Sequence, residues 1–168
     1  MATRARIGIE LDGKIVGAYQ HWDGYPGGLG YNLIDHWYRA DKIVEGIKLG
    51  DSSKWGYIVG NKVDFDDRND PMHDVQNVYY SRDRGENAPF KVYDNEEDYL
   101  NRGFNAGEEY VYLAKREGKK DYSGNEEVTW YYASFENKKF KPLEEVAIND
   151  HIAMLKRHLE MIKNKEAA

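Results

Sequence analysis

Arg6-Ile7-Gly8-Ile9-Glu10-Leu11-Asp12-Gly13-Lys14-Ile15-Val16-Gly17-Ala18-Tyr19-Gln20-His21 is the stretch that decides the fold class. Ile7, Ile9 and Leu11 alternate with Arg6, Gly8 and Glu10, the two-residue period of a strand. Asp12-Gly13 is a turn dipeptide that tolerates positive φ at both central positions. A hairpin closed there sets Leu11 opposite Lys14, Ile9 opposite Val16 and Ile7 opposite Ala18. Ile7, Ile9, Leu11, Val16 and Ala18 then share a face that should pack on a core. The other face carries Arg6, Gly8, Glu10, Gly17, Tyr19 and His21. It is polar, aromatic and thinned by two glycines, so it faces solvent or something approaches it closely.

The hairpin runs into His21-Trp22-Asp23-Gly24-Tyr25-Pro26-Gly27-Gly28-Leu29-Gly30, with four glycines in ten positions. Two uses fit. Its glycines supply φ > 0 turns between strand and helix, or its free N–H groups and the following helix N-terminus face an anion. The spacing matches neither GxGxxG nor a P-loop.

Leu29, Leu33, Ile34, Trp37 and Tyr38 recur at helical spacing. Asp41 is placed to cap a second helix over Ile43, Val44 and Ile47, ended by a left-handed Gly50. Trp55 to Val59 reads as a short strand. Asp64, Asp66 and Asp70 echo part of a calcium loop, but Asn69 and Val75 stand where it needs Gly and Glu; the segment reads as a solvated acidic loop, and no metal site is expected. Val75 to Ser81 reads as a strand leading into Arg82-Asp83-Arg84-Gly85-Glu86, where Arg82 and Arg84 would point the same way and suit a phosphate or carboxylate. The alternative is an exposed loop with local ion pairs. Phe90 to Tyr93 reads as a strand and Asn95 to Asn101 as a helix. Glu109 to Lys115 and Glu127 to Phe135 pair as strands apolar on both faces, which places them at the sheet centre. Pro142 sits at the first turn of a closing helix. There Ile148, Ile152, Leu155, Leu159 and Ile162 form a narrow 4-3-4-3 seam, suited to packing across the sheet or to a homodimer contact through the C-terminal helix. His36 reads as a packed histidine, and His151 and His158 as exposed. The sum is one α+β domain over residues 1–168, a mainly antiparallel sheet with helices after the glycine-rich loop and a C-terminal helix over about 142–164.

Composition narrows the function. A net charge of −6 argues against a phosphate backbone as the main partner, so nucleic acid is not expected. With no cysteine, thiolate chemistry and disulfides are excluded. No apolar run reaches bilayer length and no signal core opens the chain, so a cytoplasmic protein without a membrane partner is the expectation. Fourteen Tyr and four Trp supply rings able to stack on planar ligands.

The hairpin opening Arg6-Ile7-Gly8-Ile9-Glu10, the turn Asp12-Gly13-Lys14 and Tyr19-Gln20-His21-Trp22-Asp23-Gly24-Tyr25-Pro26 resemble the start of an uncharacterised family of small tailed-phage proteins that carry an N-terminal HWDGYP motif. Leu49-Gly50-Asp51, Tyr80 to Glu86 and Lys141 to Val146 are similar to later parts of that pattern, while the tail after Asp150 is not. The resemblance implies an accessory, non-structural role in an infected host's cytoplasm and brings no activity with it.

Three functions remain open. The first is binding of a small anionic, nucleotide-like ligand, perhaps a host defence signal to be sequestered, by Arg6, Tyr19, His21, Trp22, Asp23, Gly24, Tyr25, Gly27, Gly28, Arg82, Arg84 and Glu86, with no cofactor. The second is a small hydrolase or transferase with His21 and Asp23 as catalysts, oriented by Glu10 or Glu86. The third is a host-protein inhibitor acting through its surface.

Overall fold

The computed structural model describes residues 2–167. The Asp12-Gly13 turn closes the hairpin as its dipeptide requires, with φ of 51° and 81°. Strands β1 (Ala5–Leu11) and β2 (Lys14–Gln20) pair in the register read from the sequence, Leu11 with Lys14, Ile9 with Val16 and Ile7 with Ala18. Next come helices α1 (Tyr31–His36) and α2 (Ala40–Lys48), the short strands β3 (Ser52–Lys54) and β4 (Val78–Tyr79), and helix α3 (Tyr80–Arg84). The remaining elements are β5 (Lys91–Tyr93), α4 (Glu96–Asn105), β6 (Tyr110–Lys120), β7 (Glu126–Ser134), β8 (Lys141–Pro142) and α5 (Glu144–Ala167). The eight strands form one sheet in the order β4-β3-β2-β1-β6-β7-β8, with β5 beside β2. Its pairings are antiparallel except β1–β6 and β2–β3. This is a single α+β domain with an N-terminal hairpin and a C-terminal helix.

Helices cover both faces, which is why β6 and β7 are apolar on both sides. On one face Ile7, Ile9, Ala18, Tyr112 and Trp130 pack with Leu33 and Trp37, with Ile43 and Ile47 of α2, and with Leu143 and Ala147 at the start of α5. On the other, Ile15, Val111, Leu113 and Ala133 meet Tyr93 and the α4 residues Tyr99 and Phe104. The glycine-thinned face of the hairpin is therefore neither solvated nor open to a ligand. A Cβ on Gly8 would lie 2.7 Å from the Tyr99 ring, and one on Gly17 would lie 2.9 Å from it. The close approach expected there is made by the chain's own tyrosine, whose hydroxyl donates to the Tyr112 carbonyl at 2.7 Å.

Several boundaries differ from the sequence reading. Val75 to Ser81 is not one strand: Val78 and Tyr79 pair with β3, and the chain then turns into α3, ended by Gly85 at φ 74°. Asp83 drives that switch, because its buried carboxylate accepts from the Tyr79 N–H at 2.7 Å and the Val63 N–H at 3.0 Å. Trp55 to Val59 is not a strand; Ser52–Lys54 takes that place, and Ile58 forms only a bridge to Gln76. Arg39, not Asp41, is the N-cap of α2, and Asp41 lies in its first turn, paired with Arg39. Pro142 ends β8 instead of opening α5. The acids of the 64–74 loop cap local backbone: Asp64, Asp67 and Asp70 accept from the N–H groups of Asp66, Asn69 and Met72.

Candidate functional site

The glycine-rich stretch is a wide turn over Pro26–Gly30 that feeds α1. Its amides are engaged within the protein. Gly24 N–H donates to the Thr3 carbonyl (2.8 Å), Leu29 to Asp23 (2.9 Å), and Gly28 and Gly30 both to Tyr25 (3.0 and 3.3 Å). Gly27 N–H donates to the Asp150 carboxylate of α5 at 2.6 Å. The anion at this loop is thus the chain's own, which corrects the expectation of a ligand cradle at Gly24, Gly27 and Gly28. Left-handed glycines are not what the loop needs either, since Asp23 is its one residue at positive φ, 56°. Close packing accounts for the glycines: a Cβ on Gly24 would lie 2.7 Å from the Ala5 Cβ and the Thr3 carbonyl, and one on Gly28 2.7 Å from the Asp23 carbonyl.

Arg6 is also internal. It is buried, its Nε donates to Glu108 at 2.7 Å, and its other nitrogens reach Glu108 and the Tyr93 hydroxyl. Burial pushes the Glu108 carboxyl up despite the neighbouring guanidinium. Arg82 and Arg84 part company because α3 replaces a strand. Arg82 donates to the carbonyls of Val59, Gly60 and Asn77 and to Asp83, all between 2.9 and 3.1 Å, so it is a structural residue. Arg84 stays exposed, paired through both carboxylate oxygens with Glu86 at 3.0 Å and lying over the Phe65 and Tyr80 rings at 4.2 and 5.0 Å.

His21 shares a 2.6 Å hydrogen bond with the Tyr19 hydroxyl, and its ring meets Trp22 edge-on at 4.8 Å. Tyr19, not Glu10 or Glu86, is therefore what orients it. Burial and the Arg4 charge lower the His21 pKa, keeping its ring neutral at pH 7, while burial pushes the Tyr19 phenol up to about 12. His36 packs against Tyr57 at 4.3 Å. His151, read as exposed, is half-buried and stacked 3.8 Å above Tyr31.

What remains of the predicted set converges on Trp22 and Asp23, where the backbone pairs with β3 through the Trp22 N–H and the Ser53 carbonyl at 3.0 Å. Two hollows share Trp22, Asp23 and Lys54. One, of about 200 Å³, adds Phe65, Arg68 and His73. The other, of about 220 Å³, adds Tyr25, Gly28, Asn32, Trp55, Tyr57 and Asp74. Trp22 is 39% exposed, whereas Trp37, Trp55 and Trp130 are buried. Lys54 and Arg68 make no ion pair among the described residues. Asn32 holds its amide orientation by donating to the Trp55 and Gly56 carbonyls, at 3.2 and 2.8 Å, which leaves its buried Oδ1 without a donor. The sequence reading missed Lys54, Arg68, His73 and Asn32. Lone basic or amide residues in weakly patterned segments carry no spacing signal, and only the fold gathers them.

The largest hollow, about 560 Å³, lies elsewhere, between β6, β7 and the first turns of α5. Glu109, Glu136 and Asp150 line it with Tyr110, Tyr132 and Phe135. Three carboxylates make it a poor place for an anion. Among the described residues no helix is long and apolar enough to cross a membrane. No protein-family model matches the chain, and no curated protein or solved structure matches it.

Proposed function

We propose that the protein binds a small anionic ligand with a planar ring, nucleotide-like in character, in the paired hollows at Trp22. One observation carries this reading: the protein's single exposed indole stands between two hollows and beside two cations, Lys54 and Arg68, that no carboxylate neutralises. Ligand pockets combine apolar walls with a few placed polar groups, and indole faces stack on bases and rings. The hollow with Lys54, Arg68 and His73 suits the anionic part. The other, with Trp55, Tyr57 and the undonated Asn32 Oδ1, suits a ring bearing an N–H donor. Each alone is small; together they approach the size of an ordinary small-molecule site, roughly 300 Å³ upward. For a phage-type accessory protein, sequestration of a nucleotide signal is the concrete version. A hydrolase reading has less behind it, because Tyr19 occupies one His21 nitrogen and His21 lines neither hollow.

The test is a fluorescence titration with nucleoside mono-, di- and cyclic dinucleotides, paired with native mass spectrometry at once and after an hour. An unaltered adduct is expected, with emission quenched in the native chain and unchanged in Trp22→Phe. Lys54→Ala and Arg68→Ala should each weaken binding, and added salt should weaken it further. A panel that neither quenches nor forms an adduct overturns the reading. An adduct that converts to product replaces it with an enzyme.

A further inference from the structure

Helix α5 runs for 24 residues, about 36 Å at 1.5 Å per residue. Only its beginning is held by the domain. Leu143 and Ala147 are buried, Asp150 accepts from Gly27 N–H, and His151 stacks on Tyr31. From Leu155 to Glu166 every residue is exposed. The docking face is thus the row of Ala147, His151 and Met154, not the 4-3-4-3 seam, which corrects the expectation that the seam packs across the sheet. Ile152, Leu155, Leu159 and Ile162 lie open along the helix. A free helical stretch this short is marginal in water unless something covers it.

We propose that the seam pairs with the same seam of a second copy, antiparallel. The argument is the distribution of charge. Acids Glu144, Glu145 and Asp150 stand at the start of α5, and Lys156, Arg157, Lys163 and Lys165 follow. Facing Ile152 with Leu155 of the second copy, and Ile148 with its Leu159, also sets Glu144 against its Lys165, twice by symmetry. The two helix dipoles then oppose each other favourably. Parallel pairing instead aligns the dipoles and sets His151 and His158 beside Lys156 and Lys163 of the other copy at the flanking positions that choose orientation. A stripe two positions wide per heptad is a coiled-coil seam, narrower than the face of a helix lying on a membrane. Residues 144–167 also hold no aromatic residue, which such helices use at the interface.

The absence of cysteine permits a clean test. In the antiparallel register, Ile148→Cys and Leu159→Cys crosslink to each other when mixed under oxidising conditions. Each alone does not, because like positions sit about 16 Å apart, beyond disulfide reach. Light scattering of the unmodified chain should give twice 19.5 kDa. The exposed Leu155→Lys should halve that mass without changing the circular dichroism. Crosslinking of each variant with itself would establish a parallel pair and overturn the proposal. A monomer up to the solubility limit would also overturn it, and sedimentation of that monomer with phosphatidylserine vesicles would assign the seam to a membrane.

Discussion

Replacing Arg6 by Met should unfold the protein far more readily without a direct effect on any ligand. Arg6 is 8% exposed and Glu108 1%, and one Glu108 oxygen has no partner even in the native protein. Removing the guanidinium strands that carboxylate in the core between β1 and β6. Breaking a buried pair from one side costs about 3–5 kcal/mol, a large part of the roughly 5–15 kcal/mol that holds a domain together. The carboxylate has one escape, which is to bind a proton. Its folded pKa is already raised by burial, and without Arg6 it rises further. Between the unfolded value and that raised one the native state binds more protons, so stability falls as pH rises. The penalty for Arg6→Met should therefore be smaller at pH 5 than at pH 7, by up to about 1.4 kcal/mol per pH unit. Arg6→Met/Glu108→Leu should recover most of the loss, because no charge is left buried. Urea denaturation followed by circular dichroism, at both pH values, measures all four corners of the cycle. A loss under about 1 kcal/mol for Arg6→Met, or one that grows as pH falls, refutes the reasoning.

The two arginines of α3 should behave oppositely. Arg82→Ala strips three carbonyls and the buried Asp83 of their donor and should cost at least 2–3 kcal/mol in urea denaturation, whereas Arg84→Ala, an exposed pair, should cost under about 1 kcal/mol. Gly24→Ala drives a methyl into backbone and should lower the melting temperature more than Gly85→Ala, where a methyl meets nothing within 4 Å and only the left-handed φ resists. Proton NMR should place the His21 titration below 6.5; because the folded ring resists protonation, that group's contribution to stability should fall as pH drops through the unfolded value.

The sequence by itself determined the hairpin, its register, the two-sided strands β6 and β7 and the helix at the end, because periodicity and turn chemistry are local. It located Trp22 and Asp23 through the glycine-rich stretch beside them, though for the wrong reason: the glycines make room for Thr3, Ala5 and α5. Only the tertiary structure decided what each polar residue does. Arg6 meets Glu108 across 102 positions, and Gly27 meets Asp150 across 123. Contacts of that range leave no trace in spacing. The same distance effect hid Lys54, Arg68 and Asn32 and turned a predicted sheet-packing seam outward. A helix with two apolar stripes looks the same in sequence whichever stripe the domain covers, and here the smaller residues, Ala147 and Met154, took the inside.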